Sequence, residues 1–222
     1  MIQLKHILST ALAALALVST SVFAAGGQVS VHLVDKQGKA LPGAAVWLTG
    51  QGLTADQAVL KQSYKMGQKD RAFTPHLLIV PRQAEVSFPN YDSILHHVYS
   101  FSPAKSFEFK LYRDQPQALT FSATGAVELG CNIHDWMLGY ILVVDSTHFA
   151  VTDEQGIARI SLPKTQLTDV VLKVWHEGFM DLDRPESNSL SRVKSGDKLN
   201  IQLNQALGMF QDDFSDEFDD YE

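Results

Sequence analysis

The chain has 222 residues, 18 of them basic and 25 acidic, for a net charge of −7 at neutral pH. Seven of the acids crowd into residues 211–222, QDDFSDEFDDYE, and the rest of the chain balances at 18 acids against 18 bases. That body carries no basic excess to suggest nucleic acid, while a 45% hydrophobic content is enough to bury a core.

The first 27 residues read MIQLKHILSTALAALALVSTSVFAAGG. A basic start (Lys5, His6) precedes an apolar run from Ile7 to Val18, and Val22 and Ala24 stand at the −3 and −1 positions of a cleavage site. Residues 1–24 are therefore expected to be a signal peptide, removed on export to the periplasm. The apolar run is shorter than the roughly 20 residues of a membrane span. No later segment is apolar enough to span a bilayer.

From residue 28 onward, helical periodicity is almost absent and short alternating runs dominate. VSVHLV (29–34) sets Val29, Val31 and Leu33 against Ser30 and His32. AVWL, HLLIV, EVSF, HVYSF, FEFKL, ALTF, AVELG, YILVV, IARISL, VVLKVW and LNIQL follow, most of them separated by Gly, Pro, Asn or Asp. Many short strands at this spacing predict an all-β, mainly antiparallel fold. SNSLSRVKSGDK (187–198) reads as a loop before the last strand, and residues 208–222 as a disordered acidic tail. Such a tail either solvates the chain or docks on a basic partner.

Two stretches share one design. VSVHLVDKQGKALPGAAVWL (29–48) and HFAVTDEQGIARISLP (148–163) each place an Asp-x-x-Gly turn between alternating strands. The second continues into VVLKVWHEGF (170–179), and together they resemble the transthyretin-like, carboxypeptidase-regulatory type of small β-sandwich. Neither piece has enough strands alone. The expected organisation is one discontinuous sandwich, 25–60 and 147–207, with a second domain, 61–146, inserted. The competing arrangement makes 28–50 the first strands of the central domain.

The single cysteine, Cys131, lies in CNIHDWM (131–137). An unpaired cysteine in an exported protein is an inert buried residue, half of an intermolecular bridge, or a metal ligand. Here His134 and Met137 follow at three-residue spacing on a short loop between two predicted strands. A thiolate, an imidazole and a thioether turned to one point suit copper, although zinc takes the same thiolate and imidazole donors. A type 1 copper site has two imidazoles, a thiolate and a long axial thioether, so a second histidine has to come from elsewhere.

FPNYDSILHHVYSF (88–101) offers one. Asn90-x5-His96, a valine two residues after that histidine, and the later Cys-x2-His-x2-Met together resemble a cupredoxin, specifically the amicyanin-like kind, from about Phe73 to Val144. The wider arrangement is similar to exported methylamine-utilisation proteins with a cupredoxin-like domain. The resemblance implies a Greek-key β-sandwich beside the regulatory-like one, with copper held by His96, Cys131 and His134 equatorially and Met137 axially. It also makes Asn90 the residue that ties the ligand loops together by hydrogen bonds. Successive strand residues face opposite ways, and Val98, which reads as core, shares a face with His96; this favours His96 over His97. His97 stands beside the site where related proteins commonly have asparagine. VPRQAEV (80–86) also departs from the pattern, since the family usually turns there through glycine.

Taken singly, Cys131, His134 and Met137 are ordinary core or surface residues; the combination carries the metal reading. One cysteine excludes a dinuclear thiolate-bridged centre. A histidine-brace oxygenase needs histidine at the mature N-terminus, where the expected cleavage leaves Ala25. No Ser/His/Asp nucleophile arrangement is identifiable. His76 is either a surface or core histidine or an additional partner of the site. A type 1 site has no open position for substrate, so the resemblance implies an electron carrier and not an enzyme. Its partner would be a dehydrogenase or c-type cytochrome, docking on an apolar patch of Leu95, Ile133, Trp136 and Leu138 around His134. The alternative is a non-redox module that binds protein or glycan, with copper structural, stored or absent.

Overall fold

A computed structural model describes residues 27–163 and 166–208. The expected signal peptide and all of the acidic tail beyond Gly208 lie outside these residues. The chain runs through β1 (Gly27–Val34), β2 (Ala45–Gly50), the short helix α1 (Gln57–Leu60), β3 (Tyr64–Lys65), β4 (Gly67–Lys69), β5 (Ala72–Thr74), β6 (Leu77–Pro81), β7 (Ala84–Phe88) and β8 (His96–Ser102). It continues through β9 (Lys105–Tyr112), β10 (Gln117–Phe121), β11 (Gly125–Cys131), β12 (Leu138–Val144), β13 (Phe149–Val151), β14 (Ile157–Leu162), β15 (Leu167–Trp175), β16 (Glu186–Val193) and β17 (Lys198–Gln202). The fold is all-β, as the period-2 patterning predicts.

The flanking segments form two sheets, β14-β1-β17 and β13-β2-β15-β16. The middle segment forms a five-stranded sheet, β6-β12-β11-β8-β9, a three-stranded sheet, β10-β7-β3, and the β4-β5 hairpin. Alternation along each strand decides which core a side chain enters. Val29, Val31 and Leu33 of β1 share one apolar cluster with Val46 and Leu48 of β2 and with Val170, Leu172 and Val174 of β15. A second cluster gathers Val86 and Phe88 of β7, Val98 of β8, Val127 and Leu129 of β11, and Ile141 and Val143 of β12.

A third cluster is built from the opposite faces of the same strands. Ala45 and Trp47 of β2 and Trp175 of β15 meet Ile79 of β6, Ala126 of β11, and Tyr140, Leu142 and Val144 of β12. The two sheet systems are thus joined by an apolar seam. β12 has apolar residues at consecutive positions because both of its faces are buried. Full burial of side chains of this size contributes on the order of 1.5–3 kcal/mol each.

The two Asp-x-x-Gly turns share one geometry. Asp35 Oδ1 accepts from the Gln37 and Lys39 N–H groups, and Asp153 Oδ1 from those of Gln155 and Ile157. Gly38 and Gly156 take the left-handed backbone at φ 81° and 71°. At Arg82–Gln83, where the glycine is missing, Gln83 occupies that region itself at φ 71°. One expectation is corrected: most of 187–198 is strand, not loop. β16 pairs antiparallel with β15 from Leu167↔Val193 to Val174↔Glu186. Its polar residues hid it, because an edge strand with one solvated face needs only Leu190 and Val193 to pack inward.

Candidate metal centre

The site forms where β8 and β11 run side by side. Cys131, the last residue of β11, pairs with Val98, and the Asn132 N–H donates to the His97 carbonyl at 3.0 Å. The loop then closes twice at three-residue steps, with the His134 N–H on the Cys131 carbonyl (3.3 Å) and the Met137 N–H on the His134 carbonyl (2.9 Å). These turns keep Cys131, His134 and Met137 in step before β12 begins.

His96 opens β8, fully buried like Val98. The β8–β9 register shifts between these two residues, pairing His96 with Tyr112 and Val98 with Phe109. His97 faces the other way, where its ring meets Glu108 Oε1 at 2.7 Å. The structure therefore brings His96, not the His97 side chain, to the cysteine. Cys131 Sγ lies 3.7 Å from His96 Nδ1 and 3.6 Å from His134 Nδ1, and one ligand atom from each of the three residues falls within 4.8 Å of the other two. Bonds of about 2.0–2.3 Å from thiolate and imidazole to a metal, arranged trigonally, set donor atoms roughly 3.7 Å apart, so the donors fit a single ion. Met137 is 3% exposed and packs in the same apolar cluster as Cys131.

Behind His96 stands a residue that the sequence pattern did not single out. His96 Nε2–H donates to Asp92 Oδ2 at 2.8 Å, which leaves the Nδ1 lone pair on the side of Cys131. Burial pushes the Asp92 carboxyl up, but N–H donation from Arg71, His96 and Asp70 outweighs it and holds the group below the ordinary carboxylate value. The signal lay in the spacing, a carboxylate four residues before the histidine within a loop that folds back on itself. His134 is partly exposed; desolvation lowers its pKa, and His96 and Arg71 act in the same direction, which favours the neutral imidazole, the form able to ligate a metal.

Asn90 sits beside the site, but its bonds stay on one side of it. Its Nδ2 donates to the Ile94 and Tyr112 carbonyls and its Oδ1 accepts from the Asp92 N–H. These contacts fix the approach to His96 and do not reach the 131–137 loop. His76 is elsewhere, its ring 2.6 Å from Glu177 Oε2 and edge-on to Tyr140. Trp136 is 68% exposed with its ring 5.4 Å from that of His134, and Leu95 and Ile133, from the two loops that carry the site, and Leu138, at the start of β12, are exposed as well.

No family model and no curated protein matches the chain. Among solved structures it is similar to a purple cupredoxin from Nitrosopumilus maritimus, at 19% identity over 37% of this chain and 100% of that one, TM-score 0.34. It is also similar to a reduced Cu(I) variant of amicyanin, at 18% identity over 45% of this chain and 98% of that one, TM-score 0.34. A Cu-containing nitrite reductase from Thermus scotoductus SA-01 is 19% identical over 51% of this chain and 28% of its own, TM-score 0.36. These are partial likenesses at low identity, and the donor geometry of Cys131, His96 and His134 stands independently of them.

Proposed function

We propose that the chain is a periplasmic copper protein that carries single electrons between other redox proteins. The observation that carries this reading is the convergence of Cys131 Sγ with His96 Nδ1 at 3.7 Å and His134 Nδ1 at 3.6 Å. Buried Met137 on the same loop would complete a soft donor set that suits copper. Copper held there supplies a one-electron Cu(II)/Cu(I) couple.

The residues of the chain supply everything else the role needs. Strands β8 and β11 preset two of the donors, and the 131–137 loop adds His134 and Met137, so little rearrangement is required between oxidation states. His134, partly exposed beside the exposed Trp136, marks the point of nearest approach for a partner, with Leu95, Ile133 and Leu138 as the further apolar residues of the docking patch. Small apolar patches of this kind suit short-lived redox encounters. The partner is a dehydrogenase or c-type cytochrome, as the resemblance to methylamine-utilisation proteins implies. Residues 61–146 form the copper domain, and 25–60 with 147–207 the regulatory-like sandwich that anchors the carrier to a partner complex. Among the described residues no helix is long and apolar enough to cross a membrane.

Stopped-flow mixing of the copper-loaded protein with a reduced c-type cytochrome tests this. One electron per copper is expected, with Trp136→Ala slowing the second-order rate at least about tenfold, equivalent to 1.4 kcal/mol, at an unchanged visible spectrum. Copper that stays oxidised beside cytochromes and dehydrogenases alike contradicts the carrier reading.

A further inference from the structure

The β4–β5 hairpin ends in a strained turn aimed at the metal centre. Gly67 pairs with Thr74, Gln68 with Phe73 and Lys69 with Ala72, leaving Asp70 and Arg71 as the two turn residues. Both take the left-handed backbone, at φ 55° and 58°, in a turn that usually employs Asn-Gly or Gly-Gly. Non-glycine residues persist in this conformation where surrounding contacts over-determine them. Here the turn directs two backbone N–H groups at one carboxylate. The Asp70 N–H reaches Asp92 Oδ1 at 2.7 Å and the Arg71 N–H reaches Oδ2 at 3.0 Å.

The rest of the hairpin is fastened to the same region. The Gln68 N–H donates to the Pro89 carbonyl, and the Tyr91 N–H to the Gln68 carbonyl. The fully buried Gln68 side chain accepts from the Tyr112 hydroxyl at 2.6 Å, and Tyr112 is the β9 residue paired with His96. Asn90 fixes the backbone of Asp92. Asp92 is thus held from the hairpin, from Asn90 and from His96, and its carboxylate accepts from three donors.

We propose that Asp92 is the positioning residue of this centre: it locks the His96 ring with Nδ1 toward Cys131 and, through its negative charge behind that ring, sets the balance between Cu(II) and Cu(I). The inference rests on the copper reading above. A carboxylate that accepts the distal N–H of a ligating histidine fixes its tautomer and raises its donor strength. The higher charge of Cu(II) gains more from this than Cu(I) does. A residue that only held the loop together would support both oxidation states alike.

The test uses the protein from residue 25 onward. In the metal-free wild type, two-dimensional ¹⁵N–¹H NMR of the imidazoles should show His96 protonated at Nε2 and bare at Nδ1; the opposite tautomer overturns the proposal with no variant needed. Cu(II) and Cu(I) affinities and the reduction potential are then compared in wild type, Asp92→Asn and Asp92→Ala. Asp92→Asn should weaken Cu(II) about tenfold more than Cu(I), raising the potential by about 59 mV for one electron, and Asp92→Ala should shift it at least as far. Equal weakening of both oxidation states, with the potential unmoved, overturns the role. A wild type that binds copper without cysteine-dependent absorption overturns the copper reading and this inference with it, an outcome separate from a normal spectrum with unresponsive variants.

Discussion

Replacing Trp175 with alanine tests whether the seam makes one unit of the two sheet systems. Trp175 is 1% exposed, its indole N–H donates to the Leu182 carbonyl at 2.9 Å, and its ring stands edge-on to Tyr140 at 5.3 Å. Truncating a buried tryptophan costs about 3–5 kcal/mol, and the orphaned Leu182 carbonyl places the loss toward the upper end. Trp175→Phe keeps most of the packing and loses the hydrogen bond, for roughly 1–2 kcal/mol. A double-mutant cycle of Trp175→Ala with Tyr140→Ala should return a coupling of about 1 kcal/mol, the scale of an edge-to-face aromatic pair. Urea unfolding followed by far-UV circular dichroism gives all three numbers. A domain is stable by only about 5–15 kcal/mol, so a cost near 5 is readily resolved. A Trp175→Ala loss below about 1 kcal/mol, or no coupling to Tyr140, would refute the claim that the seam is packed and binding.

The His76–Glu177 pair spans the same junction, and its pH dependence has a definite sign. Its hydrogen bond to Glu177 is the largest influence on His76 and raises it above 6.5, while the bond to His76 lowers Glu177 below 4.5. The His76 contribution is complete below pH 6.5 and fades as pH rises through the raised value; the Glu177 contribution is complete above pH 4.5 and fades as pH falls through the lowered one. The difference in stability between wild type and His76→Gln should therefore peak between these values and shrink on either side. Since the His76 side chain is 51% exposed, that difference stays below about 1 kcal/mol, and a constant offset across pH contradicts the pairing. Gly156→Ala should cost more than Gly38→Ala in the same assay. A Cβ at 156 would sit 2.5 Å from the Leu33 carbonyl, while one at 38 meets nothing within 4 Å. The strained φ costs each about 1–2 kcal/mol, and the clash adds about 1–3 at 156 alone; equal losses would show that the first turn is as tightly packed as the second. Met137→Ala removes a side chain that is 3% exposed and should cost about 2–5 kcal/mol even without metal, which thermal unfolding of the metal-free protein checks.

Much of this architecture was legible from period-2 alternation and two Asp-x-x-Gly turns, because a strand with one buried face writes its orientation into every second residue. The metal loop was legible because its spacing is local: Cys131, His134 and Met137 lie within seven residues. The choice of His96 over His97 needed the rule that neighbours on a strand face opposite ways and the reading of Val98 as core on the face of His96. What stayed hidden depends on contacts across the chain. The unbroken apolar run of β12 marks a strand buried on both faces, but that Trp47 of β2 and Trp175 of β15 cover one of them is a contact its own residues do not encode. The partnership of His76 with Glu177 joins residues 101 apart. The spacing of Asp92 from His96 is legible in the sequence, but its contacts with the Asp70–Arg71 turn, over twenty residues earlier, are not. β16 reads as a loop in the sequence because polar residues on an edge strand look the same as polar residues on a turn.

Titration of the metal-free protein with Cu(II), followed by visible absorption and electron paramagnetic resonance, tests the central claim most directly. One equivalent of copper should produce an intense thiolate-to-copper band that disappears in Cys131→Ser and is lost or displaced in His96→Ala and His134→Ala. Colourless binding, or a signal indifferent to Cys131, would contradict a copper centre built on that thiolate.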